Sequence, residues 1–114
     1  MIKITQMENG ITTVRPGVER LVASNAKTFK DELIELVGSG SALIVLDFDG
    51  VSFVDSSGLG ALVGVLKRIG NRGELVVSGL NADVAQLFRI CRMDRVFKSY
   101  SSADAAVQAM GDRL

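Results

Sequence analysis

The stretch Ala42-Leu43-Ile44-Val45-Leu46-Asp47-Phe48-Asp49-Gly50-Val51-Ser52-Phe53-Val54-Asp55-Ser56-Ser57-Gly58-Leu59-Gly60 decides the fold. Its first part is an unbroken apolar run ending at Asp47, the composition of a strand covered on both faces and hence of a sheet centre. Its last part opens a helix. Asp55 and Ser56 are both N-cap residue types, and Leu59, Leu62, Val63 and Leu66 then fall within one arc at about 100° per residue. In open α/β sheets, sites gather where strands end and helices begin, so this junction is the first place to look for function.

Outward from the junction the pattern alternates. Upstream, Ile2 to Met7 alternates apolar and polar residues, Asn9-Gly10 is a two-residue hairpin signal, and Ile11 to Arg15 continues as a strand. After Pro16-Gly17, Ser24 and Asn25 are candidate caps of a helix with Phe29, Leu33, Leu36 and Val37 on one face, closed by Gly38 to Gly40. Downstream, the second helix ends near Gly70, and Leu75-Val76-Val77 forms a strand between Gly73 and Gly79. Asn81 caps a third helix with Val84, Leu87, Phe88 and Cys91 turned inward, and Val96-Phe97 makes a short last strand. Ser101 or Ser102 caps a fourth helix carrying Ala103, Ala106, Val107 and Met110 at helical spacing. The expected class is α/β: a mixed β-sheet with about four helices, an N-terminal β-hairpin followed by alternating α and β elements, and right-handed crossovers. Residues 1–114 are expected to form a single domain.

Composition narrows the function. Hydrophobic residues make up 47% and charged residues 23%, as in ordinary globular proteins, and thirteen Lys plus Arg balance thirteen Asp plus Glu. No overall field steers the chain to nucleic acid or an anionic surface. No apolar run approaches the roughly 20 residues of a bilayer span, and Met1-Ile2-Lys3-Ile4-Thr5 lacks a signal-peptide core, so no membrane insertion and a cytoplasmic location are expected. The single cysteine forms no internal disulfide, and the absence of histidine excludes Ser-His-Asp and Cys-His catalysis. Gly38-Ser39-Gly40 lacks the Lys-Ser/Thr ending of a phosphate loop. Asp47, Asp49 and Asp55 are close in sequence and have the chemistry to hold a magnesium ion, but a cap and a loop turn explain them as well. Arg89, Arg92, Arg95 and Lys98, and the opposing Asp31, Glu32 and Glu35, read as solvated faces. A non-catalytic protein without cofactor or metal is expected.

At the junction, a residue after the cap sees unpaired N–H groups and the positive end of the helix dipole, which favour negative charge. A phosphate on Ser57 adds about −1.5 to −2 charges, stabilised by the helix end and opposed by Asp55. Projection round the helix puts Ser57, Gly60, Ala61 and Gly64 on the side opposite the core residues. Each helical glycine costs about 0.8 to 1.0 kcal/mol relative to alanine, so Gly60 and Gly64 suggest a flat docking strip that begins at the serine. The same residues also fit plainer roles: Asp55-Ser56-Ser57 as a simple cap cluster, and Gly58, Gly60 and Gly64 as room for another element of the same chain. Cys91 reads as buried filler.

The residues resemble the STAS domain of bacterial anti-sigma factor antagonists: Ala42 to Asp47, Val51-Ser-Phe-Val-Asp55-Ser56-Ser57-Gly58-Leu59-Gly60-Ala61-Leu62, Gly73 to Leu80, Val84 to Phe88 and Asp94-Arg95-Val96-Phe97. The resemblance covers nearly the whole chain. It implies a partner switch in which a serine-kinase anti-sigma factor uses ATP to phosphorylate the serine before the glycine, here Ser57. The unphosphorylated form binds that kinase and releases the sigma factor, and a PP2C-type serine phosphatase reverses the modification. Asp55, Ser56, Gly58, Leu59 and Gly60 match the motif, and the family docks through this helix start and neighbouring loops. Where the family often has Gly-x-Leu-Asp before the first helix, this chain has Val22 in the place of the aspartate. The competing function is a non-catalytic STAS subunit of a transport or sensory assembly, against which the intact Ser57-Gly58 pair argues.

Overall fold

The computed structural model describes all of residues 1–114. In chain order its elements are β1 (Lys3–Glu8), β2 (Ile11–Arg15), β3 (Arg20–Leu21), α1 (Ala23–Gly38), β4 (Leu43–Asp47), β5 (Phe53–Val54), α2 (Ser56–Ile69), β6 (Glu74–Ser78), α3 (Ala82–Ile90), β7 (Ser99–Tyr100) and α4 (Ala103–Asp112). The β1–β2 loop is closed by Asn9 and Gly10, both at positive φ (55° and 77°), the two-residue turn whose twist matches its strands. β1 is antiparallel to β2, and β2, β4, β6 and β7 then run parallel, in the order β1-β2-β4-β6-β7. This is the mixed sheet with four helices expected from the sequence, with the apolar run Leu43 to Asp47 at its centre.

Alternation along the central strands feeds two cores. Ile44, Leu46, Leu75 and Val77 pack with Phe29 and Leu33 of α1, Leu62 and Val65 of α2, and Val84 and Phe88 of α3. Edge-to-face contacts join Phe48, Phe88 and Phe97, with ring centroids 6.3 Å apart in each pair. Val45 and Val76 turn the other way and meet Ala106, Val107 and Met110 of α4 together with Ile11 of β2. Three helices therefore cover one face and a single helix the other.

Four details differ from the expectation. The cap of α1 is Val22 rather than Ser24 or Asn25; Asn25 lies inside the first turn and accepts the Val22 N–H at 2.9 Å. The last strand is Ser99–Tyr100, because Met93–Arg95 form a 3-10 turn that turns Phe97 into the core and delays pairing with β6. Cys91 is exposed at the C-cap of α3, where the helix has already ended. Leu36, Val63, Leu66 and Leu87 are only half-buried, since Ala26, Val65, Ile69, Val84 and Phe88 take the deeper positions on their helices. The caps Asn81 and Ser102 are as expected, accepting N–H groups of Val84 at 2.8 Å and Ala105 at 3.1 Å.

Candidate functional site

The junction after β4 is organised by a second, two-stranded sheet. β3 pairs in parallel with β5, Arg20 beside Phe53 and Leu21 beside Val54. Backbone bonds from Ser52 N–H to the Glu19 carbonyl (2.8 Å) and from Asp55 N–H to the Leu21 carbonyl (3.1 Å) extend that pairing. Because α1 starts just after β3 and α2 just after β5, the two helix N-termini emerge side by side.

Asp55 serves both. Its Oδ1 accepts the Gly58 N–H at 3.0 Å as the cap of α2, and its Oδ2 accepts the Ala23 N–H at 3.1 Å at the first position of α1. Val22 has no polar side chain to cap α1, and Asp55 supplies an acceptor from across the junction. Asp55, not Ser56, is thus the N-cap of α2, which leaves Ser56 and Ser57 exposed in the first turn. No acidic residue lies in that turn, and Lys67 and Arg68 are in the last one. The start of α2 therefore faces solvent with its dipole opposed by one carboxylate, whose charge is already shared between two N–H donors.

The small residues of α2 divide. Gly58 is buried: a Cβ there would stand 2.8 Å from the Leu21 carbonyl oxygen and 2.8 Å from Val54 Cγ1. Ala61 is also buried, at 5% exposure, and Gly64 is half-buried against the Lys30 side chain of α1, which would lie 2.6 Å from an added Cβ. Gly60 alone is exposed with nothing within 4 Å. The continuous small-residue strip expected from helical projection is therefore shorter, reduced to Ser57 and Gly60. The close packing of α1 and β3 on the flanks of α2 takes up Gly58, Ala61 and Gly64.

Beside this helix start lies a groove of about 430 Å³ lined by Phe53, Val54, Val84, Leu87 and Ile90, with Asp55 and Asp83 also contributing. Phe53 and Ile90 are exposed, and the Arg20 guanidinium lies 4.5 Å from the centre of the Phe53 ring. Helical periodicity marks Val84 and Leu87 as apolar positions of α3, but nothing local ties them to Phe53 and Val54, because the groove joins a two-residue strand to a distant helix. Asp47 and Asp49 are turned elsewhere, towards Arg15 at 3.2 and 3.5 Å, and do not converge with Asp55. Lys27 pairs with Asp31 at 2.7 Å, a contact that raises the lysine pKa above its ordinary value.

The STAS domain profile matches residues 3–106. A Bordetella bronchiseptica protein named as a candidate anti-sigma factor antagonist, BtrV, is 31% identical over 93 residues, which are 81% of this chain and 80% of that one. Among solved structures, a STAS domain anti-sigma-factor antagonist from Planctomyces limnophilus superposes with a TM-score of 0.85 at 22% identity, over 96% of this chain and 97% of that one. The phosphorylated form of the Bacillus cell fate determinant SpoIIAA superposes with a TM-score of 0.72 at 14% identity, over 96% and 99%. At these identities the two structures show the shared fold, while the profile and the BtrV match carry the kinship: the chain belongs to the STAS domain family.

Proposed function

We propose that this chain is an anti-sigma factor antagonist in which Ser57 is the switch. The unphosphorylated form binds a serine-kinase anti-sigma factor and releases the sigma factor. Phosphorylation of Ser57 by that ATP-dependent kinase ends the binding, and a PP2C-type phosphatase restores it. The chain itself is a substrate and a binding partner, acts in the cytoplasm, and needs no cofactor or metal. In support, BtrV is named as a candidate anti-sigma factor antagonist, and a phosphorylated form of SpoIIAA is known on the same fold.

The observation that carries this reading is the setting of Ser57. It is exposed in the first turn of α2, between a cap that holds the helix start rigid and a glycine, Gly58, packed beneath it. A phosphate added there gains the helix N-terminus and changes the surface by about −1.5 to −2 charges, without requiring a buried group to move. Partner contact is assigned to Ser56 and Gly60 around it, with Asp55, Gly58 and Leu59 shaping the site. Ala61 is buried and Gly64 is half-covered by the Lys30 side chain, so both support α2 from its packed sides. Leu59, at 5% exposure, belongs to the core under the helix start and supports the site from below.

The test is incubation with the cognate serine-kinase anti-sigma factor in the presence of ATP, followed by intact-mass measurement. One phosphate is expected on the native chain and none on Ser57→Ala, and Ser57→Asp is expected to lose most of its affinity for the kinase. Full modification of Ser57→Ala would move the site elsewhere. Co-purification with transport components and no kinase would favour the role of a subunit in a transport or sensory assembly.

A further inference from the structure

β1 ends the strand order, with β2 on one side and no strand on the other. Five of its six residues are exposed, and Ile4 and Met7 keep 50% and 71% of their surface. In a regular strand two residues three apart point to opposite faces. Here the register against β2 shifts between Ile4 and Gln6, so Ile4 lies opposite Val14 and Met7 opposite Thr12. Val14 and Thr12 are two apart on β2 and share a face, and so do Ile4 and Met7. By the same shift Lys3, opposite Arg15, and Glu8, opposite Ile11, share the other face.

This bulge has a consequence for the open edge. When two identical strands pair antiparallel about a two-fold axis, the paired residues must both direct their backbone groups outward and their side chains to the same face. In a regular strand such residues are an even number apart. The bulge in β1 lets Ile4 and Met7 meet that condition although they are three apart. With the axis between Thr5 and Gln6, Ile4 faces Met7 of a second copy, Lys3 faces Glu8, and Thr5 faces Gln6, each pair occurring twice. The strand Lys3-Ile4-Thr5-Gln6-Met7-Glu8 is thus complementary to itself: apolar to apolar, amide to hydroxyl, and cation to anion. Neither Lys3 nor Glu8 is engaged in an ion pair of its own chain.

We propose that β1 is a self-association edge and that its partner is a second copy of this chain, joined strand to strand into one continuous sheet. Bulges on edge strands ordinarily discourage pairing. This one puts Ile4 and Met7 on one face, so that in the register centred on the bulge the two exposed apolar residues meet each other. The surface is separate from the start of α2, which is built by β3, β5 and α1, so each half of the dimer keeps its switch site free.

Sedimentation equilibrium of the full chain over a concentration series tests the proposal. The mass is expected to rise from the 12.1 kDa of one chain towards twice that value. Lys3→Glu and Glu8→Lys, each placing like charges opposite one another at both ends of the pairing, are expected to weaken association roughly tenfold or more. The chain carrying both changes restores the opposite-charge pairs and is expected to dimerise again. An equimolar mixture of the two single variants also associates, since each offers the charge the other lacks. Both positions are exposed, and circular dichroism checks that the fold is kept. A monomer at every concentration overturns the proposal, as does a dimer insensitive to the single changes or one that the double change fails to recover.

Discussion

Gly58, Gly60 and Gly64 occupy two turns of one helix for three different physical reasons. None has positive φ, so backbone freedom explains none of them. At Gly58 a methyl group would press on the Leu21 carbonyl and Val54, backbone and core atoms that cannot withdraw; at Gly64 it would meet only the flexible end of Lys30. Around Gly60 there is open space, so the chain bears the helical cost of glycine there without any return in its own packing. Gly60→Ala is accordingly expected to stabilise the fold by about 0.8 to 1.0 kcal/mol, and Gly58→Ala to destabilise it by about 1 to 3 kcal/mol. Gly64→Ala falls between, because Lys30 must shift. Urea denaturation of the three variants measures this order. If Gly60 is kept for close approach of the kinase, Gly60→Ala also weakens kinase binding while stabilising the free protein. Unchanged affinity would remove that role.

The same logic at the level of elements makes Asp55 the joint between two helices. Losing a cap costs about 1 kcal/mol, and Asp55→Ala removes acceptors from α2 and from α1 together, so a loss of roughly 2 kcal/mol is expected. Native-state hydrogen exchange should then quicken at Ala23 as well as at Gly58, although Ala23 is distant in sequence. If Ala23 keeps its protection, the link between the two helix starts is not an energetic one. This joint also marks the limit of what could be read from residues in order. The hairpin, the central run Leu43 to Asp47, the helices and the caps Asn81 and Ser102 are written in local periodicity and local hydrogen bonding, and they were legible. The exposure of Ser57 was legible too, from helical projection. β3 and β5 are two residues each, too short to show a period, and their pairing alone brings Asp55 to Ala23. The burial of Ala61 and the contact of Gly64 with Lys30 likewise come from the packing of α1 on α2, which a projection of one helix cannot contain. Val22 shows both sides of this: it was visible as a departure in the sequence, but its position as the cap of α1, assisted by Asp55, appears only in the fold.

Across the whole molecule the sheet divides the protein into unequal halves. The face under α1, α2 and α3 holds the larger core and the proposed switch site, whereas the face under α4 is closed by Ala106, Val107 and Met110 on Ile11, Val45 and Val76. Strand alternation puts Thr13 with Ile11 and Ser78 with Val76 on this thinner face, and the hydroxyls of both are buried without a hydrogen-bond partner. A buried hydroxyl left unpaired costs about 1 to 3 kcal/mol, and replacing it by a group of similar shape removes that cost. Thr13→Val keeps the β-branch suited to a strand, so it is expected to raise stability by about 1 kcal/mol in urea denaturation. A decrease would mean that the hydroxyl is satisfied in solution. The imbalance between the faces has a dynamic counterpart. α4 rests on one small apolar patch, and its amides at Ala106, Val107 and Met110 should exchange through openings of lower free energy than those of Ile44, Leu46 and Leu62. Exchange measured at increasing low concentrations of denaturant separates the two classes. Equal free energies would mean that both faces unfold as one unit. The expected order leaves the start of α2 on the more stable half, so that under the proposed switch a phosphate on Ser57 would alter what a partner meets without loosening the platform that presents it.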